Sequence, residues 1–337
     1  MARKLFWLAV ILLTMVLLGG CTERARDLEQ VSTDKRIIIR FSHVVAESTP
    51  KGLAAKRFAH LVNERTNGRV EVQVYPNSTL YKDGEEFKAL MENNVQMIAP
   101  ATAKLTGIFP QWQIFDLPFV FDSYADVHRA MDGEVGKQLF KVLAKKNVMG
   151  LAMWDNGFKQ MSANRPLRAL EDFRGLTFRI MPSAVLARQF QRLGANVKEL
   201  PFSEVYRALQ QGEVDGAENP LSNFYTKKFH QVQSDLTISN HGYLGYVVLT
   251  NQSFWDSLPE DIKKILEDTL KEVTLWERKE AQRQNQQVLT KLKNTRGIKI
   301  HYLTGGQTRQ WKEILLPIQQ EFAGEIGEDL LEKINQR

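Results

Sequence analysis

The sequence predicts an α/β protein built on parallel sheets, and three observations carry that prediction. Short apolar, β-branched runs alternate with helical patterns from Ile37 onward. The composition is that of a folded globular chain, 43% hydrophobic and 25% charged, with only 21 glycines and 11 prolines. One helical pattern, after Pro259, runs far longer than the others, and 337 residues are enough for two domains.

The chain opens with Arg3 and Lys4, then fourteen residues from Leu5 to Leu18 in which only Thr14 is polar. That run is short of the roughly 20 apolar residues a spanning helix needs and fits the apolar core of an export signal. It ends in Leu18-Gly19-Gly20-Cys21, which resembles a bacterial lipobox, so residues 1–20 are expected to be a lipoprotein signal peptide and Cys21 the lipidated mature terminus. Two acyl chains give a stable anchor. Thr22 to Lys35 is polar and without period, so 21–35 reads as a tether that extends at most about 50 Å.

Ile37 to Phe41 reads as a buried strand ending at Ser42-His43. Pro50 opens a helix with Leu53, Phe58, Leu61 and Val62 on one face, which Asn67-Gly68 stops. Val70, Val72 and Val74 alternate as a strand before the Pro76-Asn77-Ser78 turn. A helix over 85–93 leads into a short strand over 95–99, and further strands are expected over 148–154, 177–181, 214–217 and 246–250. Apolar strands meet polar, glycine-containing stretches near Trp154-Asp155-Asn156-Gly157 and again near His241-Gly242-Tyr243. The second half is therefore expected to return to the first. The divisions are 36–155 plus 245–285 for lobe I and 156–244 plus 286–337 for lobe II. After Pro259, Ile262, Ile265, Leu266, Thr269, Val273 and Trp276 form one stripe of a helix about 45 Å long, enough to brace both lobes.

Several chemistries lack their residues. Cys21 is the sole cysteine, which excludes an internal disulfide, a Cys-x-x-Cys pair and the usual zinc clusters. There is no Gly-x-Ser-x-Gly and no Gly-x-Gly-x-x-Gly, Gly136-Lys137 lacks the rest of a phosphate loop, and the six histidines contain no i, i+4 pair. No catalytic or metal site is expected. The acidic pairs Glu85-Glu86 and Glu171-Asp172 fall at helix starts, where they complement the dipole. The net charge of +6 is dispersed, with no run longer than Lys145-Lys146 or Lys227-Lys228, so nucleic acid is not an expected partner. Loss of residues 1–20 would leave +4.

From Phe41 to about Leu258 the chain resembles the dicarboxylate-binding solute receptors of tripartite ATP-independent periplasmic (TRAP) transporters. The resemblance rests on Phe41-Ser42-His43-Val44-Val45, Tyr75-Pro76-Asn77-Ser78, Phe115-Asp116-Leu117-Pro118-Phe119 and Trp154-Asp155-Asn156-Gly157-Phe158-Lys159-Gln160. It continues through Phe178-Arg179-Ile180-Met181-Pro182, Phe202-Ser203-Glu204-Val205-Tyr206, Asp215-Gly216-Ala217-Glu218-Asn219-Pro220 and Asn240-His241-Gly242-Tyr243. It implies a two-lobed periplasmic-binding-protein-like fold with discontinuous domains, crossing strands and a long bracing helix. It also implies an extracytoplasmic receptor, not an enzyme and without cofactor. Such a receptor binds a small C4-dicarboxylate (malate, succinate or fumarate) and hands it to the small and large membrane subunits of an ion-gradient-driven permease. A receptor for another organic anion, a 2-oxo acid or sugar acid, is the alternative.

By residue type Arg179, on a strand between Phe178 and Ile180, fits either an internal ion pair or a bidentate carboxylate clamp. The resemblance assigns it to the ligand. Asn219, at a strand end before Pro220, is a turn former by itself and a ligand donor by resemblance. Lys159 is expected to meet the second carboxylate, with Lys104 and His43 as further polar contacts and Asp83 and Thr102 as weaker ones. Trp154, Phe158, Phe202 and His241 are expected to wall the cleft.

Overall fold

The computed structural model describes residues 36–336, so the expected export signal, Cys21 and the expected tether lie outside the described residues. Two sheets organise the chain. Strands β1 (Ile37–Ser42), β2 (Val70–Tyr75), β3 (Met97–Ile98), β4 (Val148–Phe158) and β10 (Tyr243–Asn251) build the first, in the order β2-β1-β3-β10-β4. The second takes β5 (Gln160–Ala163), β6 (Thr177–Ile180), β7 (Asn196–Glu199), β8 (Gly216–Asn219), β9 (Asp235–Ile238) and β11 (Lys299–Tyr302), in the order β11-β9-β5-β8-β6-β7.

Local signals set the elements as read. Helix α1 (Pro50–Arg65) starts with Pro50 in its first turn, behind Thr49, whose side chain accepts from the Gly52 N–H at 3.2 Å. It ends where Asn67 and Gly68 turn left-handed, at φ of 50° and 75°. Helices α2 (Glu86–Met91), α3 (Tyr124–Asp132), α4 (Glu134–Leu143), α5 (Ala184–Arg192), α6 (Val205–Gln210), α7 (Leu221–Thr226) and α8 (Gln252–Ser257) cover the sheets. The long helix, α9, spans Glu260–Lys293 and packs on α1, β4 and α7, reaching both halves. Among the described residues no helix is long and apolar enough to cross a membrane.

The sheets are mixed, not parallel as the strand–helix alternation predicted. β10 runs antiparallel to β3 and β4, and β5 runs antiparallel to β8 and β9. The cause is the connectivity. β4 continues through Lys159 directly into β5, and β9 returns through 239–242 into β10. Each sheet therefore receives one strand entering from the other half, against the direction its own strand–helix–strand units impose. The two crossing segments are tied where they pass, the Lys159 N–H donating to the Gly242 carbonyl at 2.8 Å.

The chain end spans the halves as well. Glu321 pairs with Arg188 (2.6 Å) and Arg192 of α5. Beyond it, Glu325 accepts from Gln113 at 2.9 Å and Asp329 from Gln138 of α4 at 3.0 Å. Of the acidic pairs, Asp172 caps its short helix as expected, accepting from the Arg168 and Ala169 N–H groups at 2.8 Å. Glu86 also opens its helix as expected, and is buried there, accepting from Ser42 Oγ at 2.9 Å.

Candidate functional site

Between the two sheets lies a cavity of about 330 Å³, lined by Val44, Val45, Asp83, Ala101, Lys104, Arg179, Met181, Phe202, Asn219, Asn223, Leu244 and Tyr246. The second sheet supplies its polar wall. β6 and β8 are parallel neighbours, so Arg179 and Asn219 both sit near the carboxyl ends of strands, where open α/β sheets bind ligands.

Arg179 is 3% exposed and makes no ion pair among the described residues. Its Nε and Nη2 both donate to the Leu200 carbonyl, at 3.0 and 2.9 Å, and Nη1 has no protein acceptor. Burial draws its pKa down to about 10, with Asp83 and Glu218 opposing, so the guanidinium stays charged at neutral pH. The Phe202 ring lies 5.7 Å from its centre. Asn219 is equally buried, and its Nδ2 donor has no partner. A buried cation without counter-ion and a buried donor without acceptor, lining one cavity, are groups that an anion would satisfy.

The first half closes the cavity with Lys104 and Asp83. Lys104 Nζ lies 2.9 Å from Asp83 Oδ2, and burial lowers the pKa of Lys104 against the pull of that carboxylate. The same Asp83 oxygen accepts from the Phe202 N–H at 3.0 Å, so it bridges the two halves. Thr106 Oγ adds a second bridge, donating to the Pro182 carbonyl at 3.0 Å.

Of the residues read from the sequence, Arg179, Asn219, Lys104, Phe202 and Asp83 line the cavity. Lys159, His43, Trp154, Phe158, His241 and Thr102 do not. Lys159 is 0% exposed and pairs with Glu218 at 2.6 Å, which corrects its placement opposite a second ligand carboxylate. His241 Nε2 donates to the other oxygen of Glu218 at 2.8 Å, and Gln189 donates to it at 3.1 Å. Burial pushes Glu218 up, but Lys159 and His241 outweigh it and hold its pKa at about 2. His241 itself is kept neutral by burial. Trp154 packs on Phe41 and donates to Thr274 Oγ at 3.0 Å, and Phe158 packs between Tyr124 and Tyr243. His43 is buried, and burial and Lys51 bring its pKa to about 3. Asn223 and Tyr246 were not singled out in the sequence. Asn223 follows Asn219 by four residues, one helical turn after Pro220, which is the signal that could have marked it.

A larger open groove of about 1,040 Å³ lies elsewhere, lined by Phe140, Leu151, Met153, Trp255, Leu270 and Leu275 among others. Its Arg278 is already held by Asp132 at 2.6 and 2.8 Å. Among the described residues no cluster of His, Cys, Asp or Glu side chains is placed to hold a metal ion.

Two halves joined by crossing strands, with an anion cavity between them, define a two-lobed solute receptor. The chain belongs to the DctP family, bacterial extracellular solute-binding protein family 7, whose model matches residues 41–325. It is a receptor and not an enzyme, and it acts outside the cytoplasm. It is 45% identical over 324 residues to the C4-dicarboxylate-binding periplasmic protein DctP of Rhodobacter capsulatus, covering 95% of this chain and 97% of that one. The crystal structure of a TRAP periplasmic solute-binding protein from Sulfurospirillum deleyianum with bound succinate superposes with a TM-score of 0.87 at 49% identity, covering 89% of this chain and 99% of that one. A Pseudomonas aeruginosa counterpart with bound L-malate gives 0.83 at 40% identity, covering 85% and 99%.

Proposed function

We propose that this chain captures a C4-dicarboxylate (malate, succinate or fumarate) in the cavity between its halves and delivers it to the small and large membrane subunits of an ion-gradient-driven TRAP permease. The observation that carries the reading is the buried, unpaired Arg179 guanidinium beside the unpartnered Asn219 amide. Arg179 would take one carboxylate with its free Nη1 edge and Asn219 would donate to the same group. Lys104, released from Asp83, would meet the other end, and Phe202 would cover the ligand. Lys159, His241 and Phe158 stand behind the wall on the crossing segments, while His43 and Trp154 pack beside Phe41. Relatives that carry C4-dicarboxylate names or bound succinate and malate support the ligand class.

In this reading residues 36–155 with 245–285 form one lobe and 156–244 with 286–337 the other, the last helices reaching back to the first. The ligand touches both, so binding favours the closed arrangement by its differential affinity. Cys21 would carry the lipid that keeps the receptor at the membrane surface. Calorimetric titration of the protein with succinate, malate and fumarate, beside a 2-oxo monoacid and a sugar acid, tests the ligand. Micromolar binding, about −8 kcal/mol, is expected for at least one diacid. Tighter binding of the monoacid or sugar acid than of all three would overturn the reading. For the anchor, Cys21→Ser should move the protein from the membrane fraction to the soluble one. A wild-type chain already soluble refutes it.

A further inference from the structure

A polar chain runs from the long helix to the cavity wall and ends on an asparagine whose orientation is unsettled by the protein alone. Asn285 of α9 donates from Nδ2 to the Asn156 carbonyl at 2.6 Å and accepts from the Ser222 N–H at 2.9 Å. Ser222 Oγ donates to Asn156 Oδ1 at 2.7 Å, which fixes the Asn156 amide. Asn156 Nδ2 then donates to the Tyr246 hydroxyl at 2.7 Å, and Asn223 Nδ2 donates to the same oxygen at 3.1 Å.

The phenol thus accepts twice, and its own proton has no acceptor within this set. Asn223 lines the cavity, and its Oδ1 is buried without a partner. In this orientation the wall offers an acceptor oxygen to an anion, which is repulsive. Rotating the Asn223 amide by 180° resolves both defects. Oδ1 then accepts the Tyr246 proton, and the NH₂ group, with no protein acceptor, turns to the cavity. Tyr246 cannot move to accommodate the other orientation. Asn156 holds its hydroxyl, and the Lys51 ammonium lies 3.6 Å above its ring, itself fixed by a 2.7 Å bond to the Ala99 carbonyl.

We propose that Asn223 is a ligand-binding, specificity-determining residue that donates its amide to the bound anion, with Tyr246 as the positioning residue that accepts this orientation. The proposal rests on the dicarboxylate reading and adds a third donor to Arg179 and Asn219, on α7. An oxyanion stabilises the rotated amide, whereas a neutral or cationic solute does not. The site therefore favours a solute that presents an acceptor oxygen at this point of the wall.

The test titrates the full chain, wild type and variants, with succinate by calorimetry. It also follows side-chain amide resonances by ¹⁵N NMR, with the Asn223 signal assigned from its absence in Asn223→Asp. Asn223→Asp keeps the shape, removes the donor and adds a charge, and should weaken succinate at least a hundredfold. Tyr246→Phe should weaken it about tenfold, and succinate should shift the wild-type Asn223 amide protons. Wild-type affinity in Asn223→Asp, or a wild-type amide signal that ignores succinate, overturns the proposal. If Asn223→Asp fails to fold, Asn223→Ser supplies the assignment and the wild-type NMR titration decides. A wild type that binds no diacid overturns the dicarboxylate reading instead. In that case the same spectra with whichever acid of the panel binds still test Asn223.

Discussion

Arg179→Met separates a ligand clamp from a structural arginine, because the two roles give opposite results in one assay. The guanidinium is buried, charged and held only by the Leu200 carbonyl. Removing one partner of a buried, hydrogen-bonded charge contact costs about 2–5 kcal/mol of binding. At 1.4 kcal/mol per decade that is roughly thirtyfold to several thousandfold in affinity. Thermal unfolding in succinate at one hundred times the wild-type dissociation constant reads this directly. Wild type gains about 2.7 kcal/mol from ligand at that concentration, and a variant a hundredfold weaker gains only about 0.4 kcal/mol. Without ligand the variant sheds an unpaired buried charge and loses two bonds to one carbonyl, so its unfolding temperature should hold or rise. A variant that melts several degrees lower without succinate yet keeps the full ligand shift would refute the clamp.

Other substitutions probe the charges around the cavity. Asp83→Asn keeps an acceptor for the Phe202 N–H but frees Lys104 from its carboxylate. Calorimetry should show succinate binding several-fold tighter, and a tenfold loss would mean that Asp83 holds Lys104 in place. Lys159→Met leaves Glu218 buried without its 2.6 Å partner, which should cost about 3–5 kcal/mol of stability in chemical denaturation. Its affinity losses should be equal for succinate and a monoacid, whereas a loss confined to succinate would return Lys159 to the ligand. Asp116 gives a pH effect. Burial raises its pKa from 3.8 to about 7, and Oδ2 has no hydrogen-bond partner. Between those values the folded protein keeps a proton that the unfolded chain has lost, so this carboxyl's contribution to stability falls as pH rises. The stability of Asp116→Asn relative to wild type should grow from pH 4 to pH 7 and then level off, and a flat difference would refute the raised pKa.

Local signals made much of the first sheet legible. Pro50, Asn67 and Gly68 bound α1, and β1 and β2 follow their apolar runs, because each depends on residues within a few positions. Strand direction was not legible, since it depends on where the chain enters a sheet. The short strands β7 and β11 carry too little apolar pattern to stand out, with Lys198 and Glu199 in one and Lys299 and His301 in the other. In the site, Arg179 and Asn219 were assigned to the ligand through the family resemblance, their residue types alone leaving an ion pair and a turn open. Lys159 went astray because its partner was overlooked. Successive strand residues point to opposite faces, so if Asn219 faces the cavity its neighbour Glu218 faces away and needs a cation there.

That alternation also explains how an anion site can be built beside a buried carboxylate. Glu218 follows the sheet's opposite face, where Lys159 cancels its charge and neutral His241 and Gln189 occupy its second oxygen. The set is closed and sums to zero, so it adds little repulsion to a ligand on the other face. Its field still helps keep Arg179 protonated despite burial. Within the cavity Arg179 and Lys104 oppose Asp83 alone, leaving one net positive charge before a ligand arrives. A dianion placed there must draw Lys104 from Asp83 and find neutral donors for its remaining oxygens. The amides of Asn219 and Asn223 supply those donors without adding a cation that would have to be buried unpaired in the empty receptor. A cavity with more fixed positive charge would hold a diacid harder but destabilise the empty protein. The balance found here suits a carrier that must bind its ligand and then release it.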